Sequence, residues 1–235
     1  MKLIEKAERE WIRLVAKISD RLFKTTKFVS YQEKYSNYYQ NDYVLKDDEF
    51  SFVHILRSGG SFFHEGIQNN FTNFYFGAHN AVSLKCNPKN FKYITILRDP
   101  IQRVYSYFLQ QKKNKRLPYY HHANVGLDFF IQKSWACRNG MCKFINGNIT
   151  KELNDDLYLI AINNLRNFYF VIDFDNFKDD SNKLMLKLKI NKKIDFINNF
   201  KMPNKREISI TDQETIKNYN YFDLKLFQHF KDQSI

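Results

Sequence analysis

Residues 50–66 read FSFVHILRSGGSFFHEG, and the parsing of this stretch decides the fold. Its first half, FSFVHIL, is short, aromatic and β-branched, the composition of a buried strand. Two glycines between two serines then break it, at Ser58, Gly59, Gly60 and Ser61. A helical pattern resumes over 60–69. In a strand–turn–helix of this kind the glycines let the backbone approach a ligand, and successive N–H groups form a concave nest for an anion. The helix start adds unsatisfied N–H groups and a positive dipole end. Ser58 and Ser61 supply hydroxyls, and Arg57 supplies a permanent charge in a fork geometry. No Gly-Lys-Ser/Thr closes the turn, which disfavours a nucleoside-phosphate kinase of the common P-loop class.

The pattern around this stretch is α/β. KYITILR (92–98) and NFYFVID (167–173) are further strand candidates, and 74–76 is a short one. Helical periodicity predicts helices over 100–113, 127–133, 138–147, 155–165 and 176–189. Strands alternating with helices imply a P-loop-like, three-layer domain with a central, mostly parallel sheet flanked by helices. Ligands of such sheets bind at the carboxyl ends of the strands, here the loops after Leu56, Arg98 and Asp173. Residues 209–230 read as one terminal helix, with Thr211 as its cap and Glu214 completing a capping box. Residues 1–49 read as an amphipathic helix (2–24) and a polar, tyrosine-rich connector, and 50–235 as one domain.

Composition narrows the class. With 43% hydrophobic and 17% aromatic residues, the chain can build a core and is not a disordered one. The 37 Lys and Arg against 25 Asp and Glu give a net charge of +12, which favours an anionic partner. The excess is dispersed, as at Lys112, Lys113, Lys115 and Arg116, and no nucleic-acid reader motif accompanies it, so nucleic acid is not the expected partner. Cys86, Cys137 and Cys142 show neither a CxxC pair nor zinc-ligand spacing, and no metal site is expected. The charged opening is no secretory leader and no apolar run is long enough to span a bilayer, so a cytoplasmic protein is expected. Segment 2–24 allows peripheral membrane contact.

The second informative stretch is YITILRDPIQRVYSYF (93–108). A strand ends in Arg98, Asp99 can cap the next helix, and Pro100 suits its first turn. Ile101, Val104, Tyr105 and Phe108 form its apolar face, with Gln102, Arg103 and Ser106 on other faces. Arg98 can grip a second anionic group there; alone, it would more often pair with a carboxylate.

Together, HILRSGGSFF and LRDPIQRVYSYF resemble the two nucleotide-binding signatures of the Golgi-type carbohydrate sulfotransferases, the family that includes heparan sulfate 2-O-sulfotransferase and bacterial relatives. RNGMCKFINGN (138–148), LRNFYFVIDFDNFKDDSNKLM and PNKREISITDQETIKNYNYFDLKLF resemble later family segments, in the same order. The resemblance implies 3′-phosphoadenosine 5′-phosphosulfate as co-substrate and a hydroxyl-bearing acceptor, a carbohydrate. It assigns the 5′-phosphosulfate to Arg57, Ser58, Gly59, Gly60, Ser61 and Phe62, and the 3′-phosphate to Arg98 and Ser106. Lys205 and Arg206 are late contributors to the same co-substrate.

Sulfuryl transfer needs a base at the acceptor oxygen and positive donors at the leaving phosphate. Six histidines are available, and the resemblance favours His79, in FYFGAHNAV, as the base. His121 and His122, in a polar insertion, are the rivals; His54 reads as structural. Two positions depart from the family pattern. Arg57 stands where the family carries a catalytic lysine, and an arginine there can stabilise charge but cannot yield a proton. Lys143 stands where it carries an arginine. A non-catalytic nucleotide- or glycan-binding relative is therefore the alternative function.

Overall fold

The computed structural model describes residues 44–46, 49–63, 74–75, 81–115, 117, 119–189, 201 and 204–233. The amphipathic segment 2–24, the connector up to residue 43 and His79 lie outside the described residues. Four strands form one sheet: β1 (Phe50–Val53), β2 (Phe74–Tyr75), β3 (Lys92–Leu97) and β4 (Phe170–Asp173). Their order is β2-β1-β3-β4, and every pairing is parallel. β1 is shorter than its apolar run because the chain turns once past Val53: the Ile55 amide donates to the Val53 carbonyl, and Arg57 takes a left-handed φ of 67°.

Alternation along the strands feeds two cores. Phe52, Ile94, Ile96 and Ile172 point to one face, where they meet Phe63, Phe177, Leu184 and Met185. Val53, Tyr93 and Leu97 point to the other, where the larger cluster lies. A parallel sheet must be covered on both faces, and this one is. The helices are α1 (Pro100–Lys113), α2 (Tyr120–Val125), α3 (Leu127–Lys133), α4 (Gly140–Asn146), α5 (Asp155–Arg166), α6 (Phe177–Lys187), α7 (Ile210–Tyr219) and α8 (Tyr221–Gln233). α6 and a helical turn at 60–63 cover the first face. α1 and the helices packed around it cover the second. None of the described helices is long and apolar enough to cross a membrane.

Three expectations change. The terminal helix is two helices, α7 and α8, broken at Asn220. Asn220 is buried, and its amide donates to the carbonyls of Cys137 and Ile216 while its oxygen accepts from the Asn139 amide. A side chain that ties two segments together is thus placed where the helix breaks. The cap of α7 is Ser209, whose hydroxyl accepts from the Asp212 amide, and not Thr211, which lies inside the first turn. The insertion holding His121 and His122 is helical as α2, seated on α1 through Tyr119, whose amide donates to the Gln111 side chain.

The polar centre of the larger core joins α1, α4 and α8. Arg103 and Asp223 form an ion pair at 3.1 Å with side chains 1% and 0% exposed. The Asp223 carboxylate also accepts from the Met141 and Cys142 amides at 2.9 and 2.8 Å, and Arg103 donates to the Ala136 carbonyl. Nearby, Asn139, at a left-handed φ of 51°, accepts from the amides of Phe222 and Asp223. Cutting one partner from such a pair strands a buried charge, at a cost of about 3–5 kcal/mol. Asp223→Ala is expected to lower the unfolding free energy by about that amount. Asp223→Asn, which still accepts hydrogen bonds, should cost less. Urea denaturation of the two variants checks the ranking.

Candidate functional site

The strand order creates a crevice. β1 is followed in sequence by β2 on one side, and β3 by β4 on the other, so the loops after β1 and β3 leave in opposite directions. Such a switch point at the carboxyl ends of parallel strands is where ligands bind in open α/β sheets. Arg57 leaves β1 and Arg98 leaves β3 at this point. The register pairs Val53 with Thr95, and the Thr95 hydroxyl donates to the Val53 carbonyl at 2.9 Å.

The two arginines meet. Arg98 Nη1 donates to the Arg57 carbonyl at 3.1 Å, and its guanidinium lies 4.5 Å from the centre of the Phe174 ring. Arg57 directs its Nε and Nη2 at the Ser106 hydroxyl, at 3.3 and 3.2 Å. Ser106 and Gln102 lie four residues apart on α1 and so share a face. Gln102 makes a two-way contact with the segment before α7: its side-chain amide donates to the Arg206 carbonyl, and its oxygen accepts from the Arg206 amide, at 3.1 and 3.2 Å. Asp99 caps α1 by accepting from the Gln102 amide, and Pro100 opens the helix, as the sequence leads one to expect. Lys205 pairs with Asp175 in the loop after β4, at 3.2 Å.

The crevice is electropositive. Burial lowers the Arg57 pKa, and the nearby Arg206 charge lowers it further. The Arg98 pKa is pushed down to about 10, first by burial and then by the charges of Arg57 and Arg206; Asp175 and Asp99 oppose this. Three guanidinium groups are thus close enough to feel one another. Neither Arg57 nor Arg98 makes a salt bridge to a carboxylate among the described residues. Arg98 and Asp99 form no ion pair among the described residues; the Asp99 side chain accepts from the Gln102 amide.

The glycine turn is shaped by what lies beneath it. A Cβ on Gly60 would come 2.2 Å from the His54 ring, and one on Gly59, at φ 86°, 2.8 Å from Phe174. His54 is buried and floors the loop, the structural role its sequence position suggests. Ser58 is buried, and among the described residues its hydroxyl has no hydrogen-bond partner, while Ser61 is exposed at the start of the helical turn. The first N–H groups of that turn have no acceptor within the helix. Phe62 is half-buried and packs edge-on against Phe177, 6.0 Å between ring centres. Lys143 is buried with its ammonium 3.8 Å from Glu152, and burial lowers its pKa.

Sequence reasoning marked the loop after Asp173 but not the residues in it that count, Phe174 and Asp175. Gln102 was placed off the apolar face without a role. Its four-residue spacing from Ser106 is the signal that could have linked it to the site.

The rival histidines lie elsewhere. α2 packs against the far half of α1, near Tyr107 and Gln111. His122 is buried and stacks on Phe129, ring centres 5.6 Å apart. Burial, then His121 and Lys133, press its pKa down to about 4. It is therefore neutral near pH 7 and folded around as a neutral ring. Its contribution is complete above the usual histidine pKa and is lost as pH falls from about 6.5 toward 4, because the unfolded chain binds the proton first. His122→Phe keeps the stacking and removes the proton. The fall in urea midpoint between pH 7 and pH 4.5 should be smaller for this variant than for the wild type. Comparison with family models and with curated proteins found no match for this chain.

Proposed function

We propose that this chain is a sulfotransferase that binds 3′-phosphoadenosine 5′-phosphosulfate through a P-loop-like turn and moves its sulfuryl group to a hydroxyl, on a carbohydrate acceptor. The observation that carries this reading is the meeting of the two signature stretches. Arg57 bonds Ser106 across 49 residues of sequence, and Arg98 bonds the Arg57 carbonyl. A co-substrate with anionic groups at both ends needs a cationic clamp and a separate nest of neutral donors. Arg57, Arg98, Ser106 and Arg206 supply the first. The glycine turn, with Ser58 and Ser61, supplies the second.

In this reaction the acceptor oxygen attacks sulfur in line, and the bond from sulfur to the 5′-phosphate oxygen breaks. The acceptor proton passes to a base, and adenosine 3′,5′-bisphosphate leaves with the added negative charge. Loop N–H groups aimed at that phosphate stabilise the charge without needing to reorganise. His79 is the proposed base.

A second reading, a nucleotide- or glycan-binding relative without activity, draws on one observation. The guanidinium at the position where the related enzymes carry lysine is engaged with Ser106. Incubation with donor labelled on sulfur and a panel of glycans separates the two. Transfer that disappears in His79→Ala is expected. Donor binding with no transfer to any acceptor would favour the second reading. Equal affinity for ATP–Mg²⁺ and the 3′-phosphorylated nucleotide would overturn both.

Gly60→Ala should weaken adenosine 3′,5′-bisphosphate binding by about tenfold or more, since the added methyl has no space over the His54 ring. Calorimetric titration checks this, and the Gly60→Ala, His54→Ala double variant should recover part of the loss.

A further inference from the structure

Resting on that donor reading, we infer that Arg57 is a specificity-determining residue for the 3′-phosphate of the nucleotide, not a cation placed on the sulfuryl group at the 5′ end. Arg57 belongs to the glycine turn by sequence, and a basic residue there would ordinarily face the group the turn cradles. The structure directs it elsewhere. Its left-handed backbone, φ 67°, turns the carbonyl toward Arg98, which holds it at 3.1 Å. Its side chain crosses to α1, and two of its guanidinium nitrogens converge on one oxygen, that of Ser106.

The consequence is a single clamp of three side chains from three places in the sequence. Ser106 Oγ accepts from Arg57 and keeps its own proton to donate. Arg57 has N–H groups beyond the two it uses on Ser106, and Arg98 has N–H groups beyond the one on the carbonyl. Two guanidinium groups and a hydroxyl match a phosphate monoester, whose charge near neutral pH approaches −2. Ser106 is 3% exposed and Arg98 7%, so the clamp is partly withdrawn from water, where such bonds count for more. Residues 50–63 contain no second Lys or Arg, so the cradle for the 5′ group is left with neutral donors from its backbone and from Ser58 and Ser61. The arginine in place of lysine has thus moved a charge from one end of the nucleotide to the other. A lysine could reach Ser106 with one bond but could not fork.

The test is calorimetric titration of adenosine 3′,5′-bisphosphate and of adenosine 5′-phosphate into wild type, Arg57→Asn, Arg57→Lys and Ser106→Ala. Asparagine is chosen because it accepts the left-handed backbone. Arg57→Asn should weaken the bisphosphate about 10- to 100-fold, the worth of charge-assisted hydrogen bonds, and leave the 5′-phosphate within about threefold. Ser106→Ala should reduce the same selectivity, and Arg57→Lys should fall between Asn and wild type. If Arg57→Asn does not fold, as thermal melting reports, the Lys and Ala variants carry the test with the same sign. Equal losses on both nucleotides would return Arg57 to the 5′ end and overturn the assignment. Unchanged affinity for both would reduce the contact with Ser106 to a structural one and overturn it as well. Wild type that does not prefer the bisphosphate would overturn the donor reading, and this inference with it.

Discussion

The Arg103 guanidinium and the Asp223 carboxylate are closed off from water, and their contacts join α1, α4 and α8. Through Asp223 the pair holds the first amides of α4, and through Arg103 it anchors α1 to the Ala136 carbonyl and to α8. A buried ion pair contributes little net stability over an apolar alternative, but it is costly to mismatch. Its effect here is register. α1 cannot rotate about its axis without breaking Arg103 from Asp223, and that rotation decides where Gln102 and Ser106 point. The proposed anion site is therefore set from the far side of the helix that lines it.

The site itself stores repulsion. Burial and then the Arg206 charge lower the Arg57 pKa, and burial and then the charges of Arg57 and Arg206 lower that of Arg98. A dianion bound among them would remove a penalty already incurred in folding, so part of its affinity is prepaid by the scaffold. Binding to the folded state alone also raises stability by mass action. Arg206 reaches the site because Gln102 holds its backbone in both directions, and Lys205 is drawn instead to Asp175. Two adjacent basic residues, Lys205 and Arg206, thus have different neighbours.

The two short signatures that resemble those of carbohydrate sulfotransferases have side chains that meet in the fold in an unexpected way. By sequence, the turn at 57–61 and the stretch from Arg98 to Ser106 are two sites for two anionic groups. Arg57 joins the second. The lesson concerns reach: a side chain as long as arginine can serve a site other than the one its backbone lines. The misplaced cap at Thr211 and the missed break at Asn220 have a similar origin. Both 209–230 patterns satisfy helical periodicity, and only the partners of Asn220, Cys137 and Asn139, decide which one forms. Arg103 lies off the apolar face in the sequence pattern and is nonetheless buried, because nothing local identifies Asp223, 120 residues away, as its partner.

The sequence by itself determined the parallel α/β plan, because alternating apolar strands and helical periods leave few other ways to bury both faces of the sheet. It also determined the glycine turn, the Asp99–Pro100 helix start, and the arginines at the ends of β1 and β3, all of them local rules of backbone and capping. Tertiary structure alone decided which way Arg57 turns, that Gln102 holds Arg206, and that His54 fills the space beneath Gly60. Arg57 with Ser106 and Gln102 with Arg206 are contacts between residues far apart in the chain. Local propensity carries no information about such distances, and packing sets all of them at once.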